Sequence, residues 1–270
     1  MAIEKGEGIV LRVRPQGETS KLVYLYTESL GRLAFLAKGA RLPKSKFAGS
    51  LDTGNRIAVV YYSRERRELN YLSHAEILER FPRVQTDISR LAIAEQAFEI
   101  LLQFGTAGEA SPRIYRLLLD LLRGLERADR GFRSIGRSFL LHFLEVAGFR
   151  PNLESCSACG AGTVGETAVF EIDRGGYVCS NCRARSAMAL TVLGRTVEWA
   201  RWLLAVPPSK AAVPLHRTVG EELDRWLGMY LSYHMEGAEQ LSTLRYREKF
   251  TQAPAQKRDG SVGDGKEEQD

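Results

Sequence analysis

Apolar and polar positions alternate with one period in the first part of the chain and with another in the rest. Over residues 9–13, 21–27, 32–37, 56–62 and 68–72, the last continuing toward Ile77, aliphatic, β-branched and aromatic residues gather in short runs. Their boundaries are Pro15-Gln-Gly17, Ser29-Leu-Gly31, the stretch from Gly39 to Gly54 and the charged turn 64–67. Runs of this composition predict strands, and five of them within about eighty residues predict a small closed barrel. After Phe81 and Pro82 the period becomes helical: Leu91, Ala94, Phe98 and Leu101 share one face. Ser111 and Pro112 then supply an N-cap and first-turn proline for the stripe Ile114, Leu117, Leu118, Leu121, Leu122 and Leu125. A third stripe, Ile135, Phe139, Leu140, Phe143, Leu144 and Ala147, ends at Gly148 with Pro151 beyond it. Thr191 is predicted to cap a helix through Leu193, Val197, Ala200 and Leu204 that stops at Pro207-Pro208. Thr218 with Glu221 has the spacing of a capping box opening a last helix through Leu223, Trp226, Leu227 and Tyr230. Residues 251–270 hold almost nothing apolar and are expected to be disordered. The chain therefore reads as α+β, a five-stranded barrel over residues 1–80 followed by a helical domain over 81–250.

Between the third and fourth helical patterns lie the only four cysteines, Cys156 and Cys159, then nineteen residues, then Cys179 and Cys182. Two such pairs suit a closed tetrahedral zinc site, because a tight turn aims both sulfurs of a pair at one metal. Residues 169–172, Gly175-Gly176 and Tyr177-Val178 read as a hairpin delivering the second pair, giving a zinc module at about residues 152–185 inserted between helices. Two disulfides are the competing reading. Met1 to Lys5 lead into a strand pattern with no secretory signal, so a reducing cytoplasm is expected and the metal is favoured. Four thiolates leave no position for water, which makes the metal structural.

Composition changes the picture only through charge. Hydrophobic content of 44% with 26% charged residues is ordinary, and no apolar run has the length of a membrane span. Residues 1–80 carry 14 Lys and Arg against 9 Asp and Glu, leaving 24 against 24 for the rest, so the whole net charge of +5 belongs to the barrel. That asymmetry points to a polyanion partner. The longest barrel connector holds Lys38, Arg41, Lys44 and Lys46 leading up to Phe47. An OB-type barrel would set such a loop beside a strand face where bases stack and phosphates are neutralised, with Arg12, Arg14, Arg64, Arg66 and Arg67 as a second group. The competing reading is a loop that is merely solvated. In the helical part, Arg116, Arg123, Arg127, Arg130 and Arg133 exceed what solvation requires, with Asp120, Glu126 and Asp129 compensating part of the charge.

Motifs for catalysis are absent or misplaced. The run Gly160-Ala-Gly-Thr-Val-Gly165 has dinucleotide-loop spacing but sits between the cysteine pairs, without a preceding buried strand or a following helix. Lys257-Arg-Asp-Gly260 has the spacing of an adenylated ligase lysine but lies in the polar tail. There is no Walker loop and no carboxylate cluster, and His74, His142, His216 and His234 are scattered.

Taken in order, Gly8-Ile-Val-Leu11, Gly17-Glu-Thr-Ser20, Leu25-Tyr-Thr27, Gly31, Lys38-Gly-Ala-Arg41 with Lys44-Ser45, and Gly148-Phe-Arg-Pro151 leading to Cys156 resemble the bacterial RecO family of recombination mediators. The resemblance covers all but the tail. It implies an OB-fold, a helical domain with an inserted zinc module, no enzyme activity and a cytoplasmic, nucleoid-associated protein. It also implies binding to single- and double-stranded DNA, annealing of complementary strands, and, with RecR, assistance to RecA loading on strands coated by single-stranded DNA-binding protein. Some members lack part of the cysteine set, so zinc would support folding rather than activity. The helical arginines would then face the acidic, apolar-ended tail of single-stranded DNA-binding protein. Two other classes stay open: a nucleic-acid enzyme fragment, such as a ligase or RNA-modifying enzyme with the same two modules, and a zinc-ribbon transcription adaptor.

Overall fold

A computed structural model describes residues 2–63, 69–105 and 110–242. Five strands, β1 (Ala2–Gln16), β2 (Ser20–Thr27), β3 (Gly31–Ala37), β4 (Arg56–Ser63) and β5 (Leu69–Glu79), close into a barrel in the order β1-β2-β3-β5-β4. All pairs are antiparallel except β3 with β5. Closure depends on β1, which at 15 residues is long enough to pair with β4 through its first half and β2 through its second, with a register shift between Val10 and Arg12. The hydrophobic pattern foresaw only residues 9–13 of it, because Glu4, Lys5, Gly6 and Glu7 carry no apolar signal and become strand through their backbone pairing with β4. Alternate side chains fill the barrel: Val10, Val23, Leu25, Phe35, Ile57, Val59, Tyr61 and Leu72 are buried together, and Phe35 meets Tyr61 edge to face at 5.1 Å.

Four helices follow, α1 (Pro82–Thr86), α2 (Ile88–Phe104), α3 (Pro112–Arg127) and α4 (Phe132–Val146). The Ser111 hydroxyl accepts the Ile114 amide at 3.4 Å, as its position before Pro112 predicts. Gly148 ends the α4 segment at φ +89°, a conformation costly for any residue with a Cβ. A three-stranded sheet comes next, β6 (Thr167–Glu171), β7 (Gly176–Cys179) and β8 (Ala189–Leu193) in the order β7-β6-β8, then α5 (Gly194–Ala205) and α6 (Arg217–His234).

Both helix-start readings in this region are corrected. Thr191 is not a cap but the middle of β8, where it is exposed between buried Leu190 and Val192; the helix begins at Gly194 with no side-chain cap. Only glycine fits there, since a Cβ at residue 194 would lie 1.9 Å from the Gly165 carbonyl oxygen. Thr218 lies inside α6, whose N-cap is His216, and Glu221 accepts from Arg217 Nε at 2.7 Å instead of closing a capping box.

One apolar core joins the helices, the small sheet and the outer face of the barrel: Leu118, Leu122, Phe139, Phe170, Val192, Trp226, Ile9, Leu11 and Tyr26 belong to it. The Phe170 ring stacks on Trp226 at 4.0 Å with 7° between planes, so the cysteine-bearing sheet shares the helical core. A polar clamp fixes the barrel against α3. Arg56 donates to Glu7 at 2.9 Å and to the Tyr115 hydroxyl at 3.1 Å, Tyr115 donates to Glu7 at 2.8 Å, and Arg123 holds Glu79 in a two-pronged contact at 2.7–3.2 Å. Glu79 is held below the ordinary carboxylate range chiefly by the Arg123 hydrogen bonds, against its burial. Burial, then the bond to Glu7, raises the Tyr115 hydroxyl.

Candidate nucleic-acid interface and metal centre

The four cysteine sulfurs lie within 4.8 Å of one another. Two turns bring them there. In the first, Gly160 N–H donates to the Cys156 carbonyl at 2.9 Å; in the second, Cys182 N–H donates to the Cys179 carbonyl at 3.0 Å. The β6–β7 hairpin carries one turn to the other, and the Ser157 amide donates to the Tyr177 carbonyl at 2.8 Å. Cys159 and Cys179 Sγ are 3.8 Å apart, matching the edge of about 3.8 Å for a tetrahedron with metal–sulfur bonds of about 2.3 Å.

The electrostatics suit a cation at the centre. Burial opposes ionisation of Cys156, yet the amides of Cys179, Ala158 and Cys159 turned toward its sulfur outweigh that and bring it down to about 6. Cys179 N–H lies 3.3 Å from that sulfur and Ala158 N–H 3.4 Å. Cys182 is pushed the other way, to about 12, by hydrogen bonding with Cys159 and Cys179. Crowded thiols resist a full set of negative charges, and a divalent ion removes that resistance.

On the barrel, Lys38, Arg41, Lys44 and Lys46 are all exposed, as a phosphate-tracking loop requires. Arg41 ties the loop to the β1–β2 turn, donating to the Gly17 carbonyl at 2.7 Å while its amide donates to Thr19 at 2.9 Å. Arg14 is exposed near the end of β1 that leads into this turn. Arg12 is half-buried and its charge is felt by Glu95 of α2, which puts it at the seam with the helices rather than with the loop. Phe47 departs from expectation. It is 3% exposed and packs in the barrel interior with Leu51, so its ring is a plug and not a stacking surface; a run of turns folds this loop back over the barrel. The Lys46 ammonium lies 5.2 Å from the centre of that ring. Arg64, Arg66 and Arg67 lie outside the described residues, as does the 251–270 tail.

The helical arginines do not form one face. Arg116 and Arg123 line a groove of about 590 Å³ between α3, α4 and Pro207-Pro208, with Leu117, Leu119, Val146 and His142. Arg113, which the sequence reading passed over, lines it too. Arg123 is already engaged by Glu79. Arg133 lines a separate cavity of about 510 Å³ beside Val213 and Arg217, and Arg127 and Arg130 line neither, both being exposed. The expected carboxylates are occupied elsewhere: Asp120 accepts the Ser209 amide at 3.0 Å, Glu126 the amides of Arg83 and Val84 at 3.2 Å, and Asp129 pairs with Arg83 at 2.7 Å.

Family comparisons decide how this arrangement is to be classed. A family model described as Recombination protein O N terminal matches residues 1–81, and one described as Recombination protein O C terminal matches residues 85–243. The chain belongs to the RecO family. Proteins named DNA repair protein RecO are similar along nearly their whole length: that of Pelotomaculum thermopropionicum is 31% identical over 256 residues, 94% of this chain and 97% of the relative. The Rubrobacter xylanophilus protein is 31% identical over 244 residues, covering 90% and 96%, and the Desulforudis audaxviator protein 33% over 237, covering 85% and 91%. RecO is thus a family of DNA repair and recombination proteins, and both the barrel and the helical part of this chain match it. No helix among the described residues is long and apolar enough to cross a membrane.

Proposed function

We propose that the protein is a recombination mediator that works by binding and handing over DNA, with no covalent step. The observation that carries the reading is that one chain matches both the N-terminal and the C-terminal RecO models in sequence order. Residues 1–80 act as an OB-fold that binds single- and double-stranded DNA through Lys38, Arg41, Lys44, Lys46 and Arg14, with Arg64, Arg66 and Arg67 as secondary contacts. Residues 81–250 form the partner-binding domain. Its four cysteines hold a structural Zn²⁺, at about residues 152–185, which locks together the two turns that carry them. The exposed, basic loop supports this reading, because transfer of a strand between proteins needs many weak phosphate contacts that are made and released piecemeal. The groove flanked by Arg113 and Arg116 suits a peptide ending in a carboxylate and apolar side chains, the chemistry of the tail of single-stranded DNA-binding protein. RecR, and RecA through it, complete the expected partners, in the bacterial cytoplasm at the nucleoid. The test is annealing of complementary oligonucleotides by the full chain, without nucleotide or metal cofactor added. Strand joining or base modification in the same tubes would overturn the reading in favour of an enzyme.

A further inference from the structure

The outer surface of the barrel carries a row of side chains that the composition of the strands conceals. Register places Leu22 opposite Leu36, Leu36 opposite Tyr71, Tyr71 opposite Tyr62 and Tyr62 opposite Ile3. Residues directly opposite in a sheet point to the same side. Their sequence neighbours Val23, Phe35, Leu72 and Tyr61 fill the barrel, so this row points outward. The row runs around the end of the barrel remote from the clamp formed by Glu7, Arg56 and Glu79. Ile3 is 65% exposed, and Tyr62 and Leu69 are each 36% exposed. Leu69 pairs with Ala34 on the same side of β3 and β5.

The charges nearest the row are cationic, and Glu76, opposite Ala58, lies two outward positions farther toward the clamp. The Lys38 ammonium sits 5.0 Å from the centre of the Tyr71 ring. Arg14 is opposite Leu22, and Lys5 opposite Val60, one outward position along from Ile3, with His74 beside it. Glu4 alternates to the other side, where it acts on the Tyr61 hydroxyl at the barrel mouth. Glu7 is taken by Arg56.

Apolar surface edged by cations fits an unpaired strand better than a duplex, because only unpaired bases offer a flat face to an aromatic ring. We infer that Tyr62 and Tyr71 form the base-stacking platform for single-stranded DNA, the part sought at Phe47, with Lys38, Arg14 and Lys5 neutralising phosphates along its edges. This deepens the DNA-binding reading above and rests on it.

The test uses the full chain with a fluorescein-labelled thymidine oligonucleotide, the same oligonucleotide with abasic sites, and a duplex of equal length. Tyr62→Ala and Tyr71→Ala should each weaken binding of the intact single strand by about tenfold, the worth of one base–aromatic stack. Tyr62→Phe and Tyr71→Phe should keep it. Duplex affinity and the salt dependence should stay unchanged in all variants, and the abasic strand should bind the unsubstituted protein about as weakly as the intact strand binds the double alanine variant. Equal losses for single strand and duplex, or tight binding of the abasic strand, would overturn the inference, as would a change of oligomeric state in the alanine variants, which would make this face a contact between copies. Failure of the unsubstituted chain to bind any DNA would overturn the underlying reading as well.

Discussion

Replacing the exposed Lys44 and Lys46 together by alanine tests the proposed phosphate contacts of the loop that leads to Phe47. Among the described residues no ion pair uses either ammonium, so both charges are available to a polyanion. Each phosphate contact on a single strand contributes about 0.7 to the slope of log affinity against log salt, so the double substitution should flatten that slope by roughly 1.4. Between 50 and 200 mM salt this amounts to about a sevenfold difference: the loss of affinity caused by the substitutions should be about seven times larger at the lower salt than at the higher. Fluorescence anisotropy with two oligonucleotides of unrelated sequence reads the effect, and both should change alike, since phosphate contacts carry no base information. Lys46 lies over the buried Phe47 ring, so thermal unfolding must be followed in parallel; an exposed lysine should change stability by no more than about 0.5 kcal/mol. An unchanged salt slope in a variant that unfolds like the parent would refute the argument, and the loop would be only solvated.

On the zinc reading, Cys159→Ser removes the exposed thiol of the four-cysteine cluster and should release zinc and lower the melting temperature of the helical part, while DNA binding changes less; metal analysis finding less than about half an equivalent in the parent protein would sink that reading. A labelled acidic peptide ending in an apolar residue and a free carboxylate should bind saturably, and Arg113→Ala with Arg116→Ala should abolish most of that binding; equal affinity in the variant would place the peptide elsewhere. Glu79→Gln removes the negative charge and one of the two oxygens that accept from Arg123 and should cost about 1 kcal/mol, kept small by partial exposure. Because the folded state lowers the Glu79 pKa from 4.5, its contribution is complete above that value and is lost as pH falls through the folded value. The difference between parent and variant should therefore shrink below about pH 4.5, and a difference that grows on acidification would contradict the assigned clamp.

Local chemistry was enough to determine some features of this protein. The α3 start is encoded by Ser111 and Pro112, and its face by leucines at helical spacing, because capping and amphipathicity act within a few residues. The two Cys-x-x-Cys pairs specify a tight turn each, for the same reason. Strands β2 to β4 were legible from their alternation, and the charge excess of the barrel could be counted. Features decided by partners distant in sequence were not legible. The first half of β1 is polar and is a strand only because β4 lies beside it. Thr191 has the form of a helix cap but is a strand residue because β6 offers it backbone partners: it lies opposite Val169, with Ala168 opposite Val192 and Phe170 opposite Leu190 on either side. Phe47 stands in a basic loop and looks like a surface ring, yet turns fold that loop back so that it seals the barrel. Arg123 was grouped with arginines free for a ligand, but Glu79, 44 residues away in sequence, claims it. The Tyr62–Tyr71 row exists only because strands separated in the chain are set in register by closure. Periodicity reports which face a residue occupies on its own element; which neighbours that face meets is fixed by burial of the shared core, and that depends on the whole chain at once.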